Sequence, residues 1–453
     1  MRIVRAAILL GRSVLVVGAL AIGACRASPS SAHLDSAPSR GRDPRNDALE
    51  MRAASARAKV AHARGDLATL VLESERADAA FPTHPRAAYN LACAYALAGR
   101  KDDAFRALDG FVALEHDVDL RADDDLKTLH DDPRFAALEA RLQRNRAPAV
   151  RSEVAFRIPD ADFLAEGIGY DAKARTFYVG SVHLRKIVRV GGDGGTSDFV
   201  SATALGPDFY APLGLALDAE RRTLWVCTTA LPEMRDYRET DRGAAALYAF
   251  DVESGRTKAR VGPSTEGPHN FNDLTLDRNG DVFFSDAASG EIDVVRAGSA
   301  QPEPFIAKGT FVSPQGLVLD RATNSLYVAD YARGLARVDL EKRQVTFFEP
   351  PDGATLVGID GLVQAGRQLL LAVQNGIAPA RVVAFQLSPD GLRIEARRVL
   401  ERAHPEHAEP TLGVLIGDSF YYVANAQWDA FATGAPHLSP RKPPTVLKMP
   451  VVP

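Results

Sequence analysis

Residues 269–286 read HNFNDLTLDRNGDVFFSD. An alternating apolar run, a turn over Asp277–Asp281 and a second run rich in aromatic residues predict a β-hairpin. Its first strand opens on Asn272 and Asp273, residue types that ordinarily close loops by bonding nearby backbone. The same pattern recurs as EGIGYDAKARTFYVGS from Glu166, LGLALDAERRTLWVCT from Leu213, QGLVLDRATNSLYVAD from Gln315, DGLVQAGRQLLLAVQ from Asp360 and LGVLIGDSFYYVAN from Leu412. Successive starts, counting Asn272 for the third unit, lie 47, 59, 43, 45 and 52 residues apart. Four-strand propeller blades repeat every 40 to 50 residues or so, and six units therefore predict a six-bladed β-propeller over residues 152–453. SEVAFRIPD (152–160) precedes the first unit and PTVLKMPVV (444–452) follows the last. Sharing a blade between these ends would close the ring and leave only short edges.

In a propeller the innermost strand of each blade begins at one mouth of the central channel. The first residue of each unit then points at the axis: Glu166, Leu213, Asn272, Gln315, Asp360 and Leu412. Four of the six bring a side-chain oxygen, which predicts a hard-cation site, since Ca²⁺ takes about 6 to 8 oxygen ligands including water. Only two of the four are carboxylates, which suits a site with open positions; strand caps binding channel water are the bland alternative.

The motifs AEGIGYD, FNDLTLDRNGDVFF, SPQGLVLD and GIDGLVQ resemble the repeats of the gluconolactonase and regucalcin (SMP-30) family, over residues 153–453. The resemblance implies six blades, one divalent cation in the channel (calcium first, with zinc, manganese or magnesium as alternatives), and metal-dependent hydrolysis of a lactone or related ester. Family ligands map onto Glu166, Asn272 and Asp360; the remaining family position, usually Asn, is Gln315. Two residues before the Asn of the third repeat the family often carries a substrate-binding Arg, and Asn270 stands there.

If the second strand of each blade returns to the metal mouth, the loops after it ring the same opening. They carry His183, Asp286, Asp330 with Tyr331 and Arg333, Asn375, and Asn425 with Gln427 and Trp428; the segment 228–246 is the longest and reads as a lid. His183 is the expected proton carrier because imidazole titrates near neutrality, with Asp360 as the alternative. His269, Asn270, Asp330, Arg333, Asn375 and Asn425 are the expected substrate contacts. No G-x-S-x-G elbow, H-E-x-x-H, phosphate-binding glycine loop or C-x-x-C pair occurs. HPEHAEP (404–410) reads as a solvated loop between strands.

Residues 1–24 place Arg2 and Arg5 before an apolar stretch ending in IGAC, the layout of a lipoprotein signal with Cys25 as the lipidated residue. Residues 25–49 read as a Ser/Pro/Arg tether. The expected location is the periplasmic face of a bacterial envelope, with membrane contact through the lipid alone, or a soluble exported form if Cys25 is not lipidated. Residues 50–146 have helical periodicity, and YNLACAYALAGRKDDAFRAL resembles a tetratricopeptide repeat; Gly65 and Gly99 lie 34 residues apart, the period of that repeat. A further helix is expected from the Asp132 cap and Pro133. Such repeats bind a protein partner or dock as a prop. A net charge of −4 supplies no basic field for nucleic acid, and Cys93 and Cys227 are expected as buried free thiols. Two functions follow: a metal-dependent lactone or ester hydrolase, and a non-catalytic envelope protein recruiting a partner.

Overall fold

The computed structural model describes residues 44–192, 194–351, 354–432 and 440–451. The signal segment, Cys25 and the tether up to residue 43 lie outside the described residues. Helix α1 (Pro44–Arg64) begins within the stretch expected as tether, because Pro44 fits a first helical turn and Asp47 places negative charge there. It is followed by α2 (Leu67–Ala80), α3 (Pro85–Leu97), α4 (Lys101–Ala113) and α5 (Pro133–Arg146). Gly65 (φ +69°) and Gly99 (φ +74°) take the left-handed conformation that ends α1 and α3. Asp66 accepts from Thr69 N to cap α2, and Asp132 accepts from Arg134 N to cap α5. Phe105, Leu108, Leu126, Leu129, Phe135 and Leu138 form the helical core with Cys93. No described helix is long and apolar enough to cross a membrane.

After β1 (Glu153–Arg157), the chain forms five four-stranded blades. Blade one is β2 (Ala165–Asp171), β3 (Thr176–Ser181), β4 (Lys186–Val190) and β5 (Thr196–Ser201). Blade two is β6 (Ala211–Asp218), β7 (Thr223–Thr229), β8 (Ala245–Asp251) and β9 (Thr257–Val261). Blade three is β10 (Phe271–Leu276), β11 (Val282–Asp286), β12 (Glu291–Val295) and β13 (Pro302–Ile306). Blade four is β14 (Pro314–Asp320), β15 (Ser325–Asp330), β16 (Gly334–Asp339) and β17 (Val345–Phe347). Blade five is β18 (Ile359–Gln364), β19 (Leu369–Gln374), β20 (Arg381–Leu387) and β21 (Ile394–Arg402). Blade six joins β22 (Gly413–Ile416), β23 (Ser419–Val423) and β24 (Thr445–Pro450) to β1, with Glu153 opposite Lys448 and Arg157 opposite Thr445. The two ends of the propeller thus share a blade, as the sequence pattern required.

The hairpin turns are built as read: Asp171, Asp218, Asp277 and Asp320 each accept a backbone N–H from the next one to three residues. Apolar clusters fill the seams between blades, and Cys93 and Cys227 are buried and unbridged. The inner strands β2, β6, β10, β14, β18 and β22 touch one another in turn and close into a ring.

Five of them lose register at the same place. The ladders skip Glu166–Gly167, Leu213–Gly214, Asn272–Asp273, Gln315–Gly316 and Asp360–Gly361. A bulge of this kind re-aims a side chain away from the sheet faces. The glycine is required by crowding: a Cβ on Gly167 would lie 1.9 Å from the Leu213 carbonyl oxygen. Blade three alone carries a larger residue there, Asp273, and Gly214 of blade two leaves the space that it fills.

Candidate functional site

The repeated bulges place Glu166, Asn272, Gln315 and Asp360 in equivalent positions around the ring, together with Leu213. Glu166 and Asp360 are 7% and 9% exposed. Trp428 Nε1 donates to Glu166 Oε2 at 3.0 Å, and Asn375 Nδ2 donates to Asp360 Oδ2 at 2.7 Å and to the Pro410 carbonyl at 2.9 Å. Tyr331 in turn donates from its hydroxyl to Asn375 Oδ1 at 3.0 Å, which fixes the amide that faces Asp360. Gln315 donates its amide nitrogen to Ser313 Oγ at 3.0 Å, so Oε1 is the atom it can offer a cation.

Two further carboxylates join this group. Burial, with Asp360 adding repulsion, pushes Asp273 up to about 7. Burial, followed by repulsion from Asp429 and Asp360, pushes Glu409 up to about 7. Asp360 itself is pushed up to about 6 by burial, and Glu166 is held well above the ordinary carboxylate range by burial and by Asp360. None of the four forms an ion pair with Lys or Arg among the described residues. Burying like charges without a counter-charge is costly, and a hard cation among oxygen donors relieves it. The donor set therefore fits a calcium-type ion.

The other expected contacts divide. Asn375 belongs to the site through Asp360. His183 does not: its Nδ1 meets the Glu233 carbonyl at 2.6 Å, its Nε2 faces Arg235 Nε at 3.3 Å, and its ring packs on Phe431. Burial, then the nearby Arg441 and Arg235, lower its pKa, so the ring anchors the 228–246 segment instead of carrying protons at the channel. That segment is itself packed down, with Leu231 and Met234 in one apolar cluster with Leu164, Leu213 and Phe431. Asp330 accepts from Val312 N, Ser313 N and Ala332 N and is spent on its own loop. Arg333 lies over the Phe347 ring at 3.6 Å, buried in blade four. Asn425 braces blade six by donating to the Pro443 carbonyl and accepting from Thr445 N. His269 and Asn270 are buried inside blade three, with His269 Nδ1 2.6 Å from Asp286 Oδ2.

The repeat pattern does not single out Glu409 or Asp273 as site residues. Glu409 lies in the loop taken as solvated; it has positive φ (61°) and is partly buried there, and the neighbouring His407 packs against Tyr422. The loop stands outside the repeat, so no periodic signal marked it. Asp273 was visible as the one break in the run of glycines.

The helical region reaches this side of the propeller. Asp117 N donates to the Ala378 carbonyl at 2.6 Å, three residues beyond Asn375, while Arg381 donates to Glu115 Oε2 (3.0 Å) and to its carbonyl (2.7 Å). Arg86, near the start of α3, is solvent-exposed yet close enough to Tyr331 for its charge to act there. Burial, then Asp360, Glu409 and Glu166, raise the Tyr331 phenol, and Arg86 opposes them.

No protein-family model and no curated protein sequence matches the chain. Among solved structures, it resembles a gluconolactonase from Xanthomonas campestris at 17% identity and a TM-score of 0.45, covering 67% of this chain and 96% of that one. It resembles the calcium-binding protein regucalcin from Agrobacterium tumefaciens strain C58 at 15% identity and a TM-score of 0.45, covering 65% and 93%. A PQQ-bound aldose sugar dehydrogenase from Streptomyces coelicolor is similar at 13% identity and the same TM-score, covering 67% and 99%.

Proposed function

We propose that the channel mouth is a metal-dependent hydrolytic site for a lactone or related ester. The observation that carries this reading is the group of four carboxylates, Glu166 and Asp360 buried and Asp273 and Glu409 partly buried, three of them set in the bulges of inner strands and none paired with a basic side chain among the described residues. Glu166, Asn272, Asp360 and Gln315 would hold a divalent cation, which when bound would supply Lewis-acid chemistry to the ester and its attacking water. Asp360, a ligand carboxylate whose Oδ2 is held by Asn375, is the group that would take the proton. Asn375 and Tyr331 orient it, and Trp428 fixes Glu166.

The test is hydrolysis of a lactone and aryl-ester panel by the full chain, with and without chelator, beside Asp360→Asn. Turnover is expected to be chelator-sensitive and to fall about 10²-fold or more in the variant. Turnover unchanged by both treatments sinks the reading. Exposed Leu49, Val60, Leu67 and Leu72 on α1 and α2 favour a second reading, an envelope protein that recruits a partner through its helical pairs. Export, with lipidation at Cys25, belongs to both readings and rests on residues 1–25 of the sequence.

A further inference from the structure

Blade three contains a polar cluster that the channel does not use. Blade four is its internal control, because the two blades share a register. Asp286 and Asp330 end the second strands, and each accepts backbone N–H groups from its flanking loops. Asp286 stands opposite Glu291 and Phe284 opposite Asp293, where blade four pairs Asp330 with Gly334 and Val328 with Ala336. The N–H of Asn270 reaches Asp286 as that of Ser313 reaches Asp330, so His269 occupies the place of Val312. Blade three has thus replaced a valine, a glycine and an alanine with a histidine and two acids.

These residues are sealed from solvent: His269 is 3% exposed, and Asp286, Glu291 and Asp293 are 0%. His269 Nε2 donates to the Thr265 carbonyl at 2.9 Å, and Nδ1 faces the acids, donating to Asp286 until a cation takes the place of that proton. Nδ1 is 2.6 Å from Asp286 Oδ2 and 3.9 Å from Glu291 Oε1. One ligand atom from each of these three residues falls within 4.8 Å of the others. Thr265 donates its hydroxyl to Glu291 Oε1 and Ser264 donates to Asp293 Oδ1, both at 2.8 Å. Metal sites are supported in this way, with the far nitrogen of the imidazole on a carbonyl and the carboxylates held by hydroxyls. Glu291 Oε2, Asp293 Oδ2 and Asn270 Oδ1 are buried without a partner, and no Lys or Arg forms an ion pair with the three acids among the described residues. An unpaired buried acceptor is costly, and those on the neighbouring Glu291 and Asp293 call for a donor or cation.

We propose that blade three holds a second divalent-cation site, formed by His269 Nδ1 and the carboxylates of Asp286 and Glu291, with Asp293 adding negative charge beside them. One imidazole with carboxylate oxygens suits Zn²⁺ or Mn²⁺ better than Ca²⁺. Binding releases to solvent any proton held on Nδ1 or shared among the acids. The covering loop 262–268 carries Ser264 and Thr265, and four of its seven residues are exposed.

The test separates this site from the channel by donor type, since Glu166, Asn272, Gln315 and Asp360 offer oxygen alone. Metal-stripped full chain is loaded with Mn²⁺ and examined by pulsed electron paramagnetic resonance. Imidazole ¹⁴N coupling is expected in the wild type and in Asp360→Asn. It should vanish in the Glu291→Gln, Asp293→Asn double variant, with a loss of one equivalent of bound metal. Bound Mn²⁺ without ¹⁴N coupling in the wild type overturns the proposal, as does coupling that survives the double variant. Should that variant not fold, Asp360→Asn alone decides: no Mn²⁺ or Zn²⁺ bound to it refutes the site, and a ¹⁴N-coupled ion supports it.

Discussion

Gly214 and Asp273 form a matched pair across the seam between blades two and three. A Cβ on Gly214 would lie 2.6 Å from Asp273 Oδ1 and from the Asn272 carbonyl oxygen, and the latter is backbone that cannot turn aside. Gly214→Ala is expected to cost about 2 kcal/mol or more in denaturant unfolding and to weaken cation binding at the channel; unchanged stability would refute the close approach. The ring positions were legible because a repeat reports geometry: five of the six aligned starts fall at the same bulge. The rim was not legible in the same way. Asp330, Asn375, Asn425 and His183 all lie at or within two residues of the end of a second strand, yet among them only Asn375 turns to Asp360. Short polar side chains choose between a ligand and their own backbone, and that choice depends on loop shape.

Strand β21 and the loop behind it tie the start of the propeller to its end. Glu401 accepts from Arg151 N at 2.7 Å, Ser152 N at 2.8 Å and Ser152 Oγ at 2.8 Å, and from the Tyr422 hydroxyl, so one buried carboxylate links the entry to β1 with β21 and β23. Burial opposes its ionisation, but these donors outweigh burial and hold it below its ordinary 4.5. Because the folded value is the lower one, its stabilising contribution is present above pH 4.5 and is lost as pH falls through the folded value. Glu401→Gln is expected to lose about 1.5–3 kcal/mol at pH 7, with the difference from wild type shrinking below pH 4.5 in thermal melts. A difference independent of pH would contradict the charge as the cause. Strands and turns of this kind were readable from alternation and from the Asp at each hairpin. The 404–410 loop and the 228–246 segment were not, since their positions are set by what they pack against, Tyr422 for one and Phe431 for the other.

The helical region and the propeller meet through a charged contact buried at its centre. Arg381 is 1% exposed and relies on Glu115 for its carboxylate partner, while Arg397 shares the same oxygen. Glu115→Ala strands a buried guanidinium, and a loss of about 3 kcal/mol is expected, with the helical region released to proteolysis near residues 147–151 before the propeller unfolds. Protection equal to wild type would show that other contacts hold the two together. The docking matters because it brings Arg86 to the side of the channel where Tyr331, Asn375 and Asp360 are linked. The whole molecule is then a closed ring with a carboxylate-lined mouth and a helical wall beside it. The most direct measurement titrates Ca²⁺ into metal-stripped full chain while ester turnover and ion occupancy are followed on the same sample. Turnover should rise in proportion to the occupancy that Asp360→Asn removes. Full turnover without that occupancy, or full occupancy without turnover of any lactone or ester, would contradict the hydrolytic site.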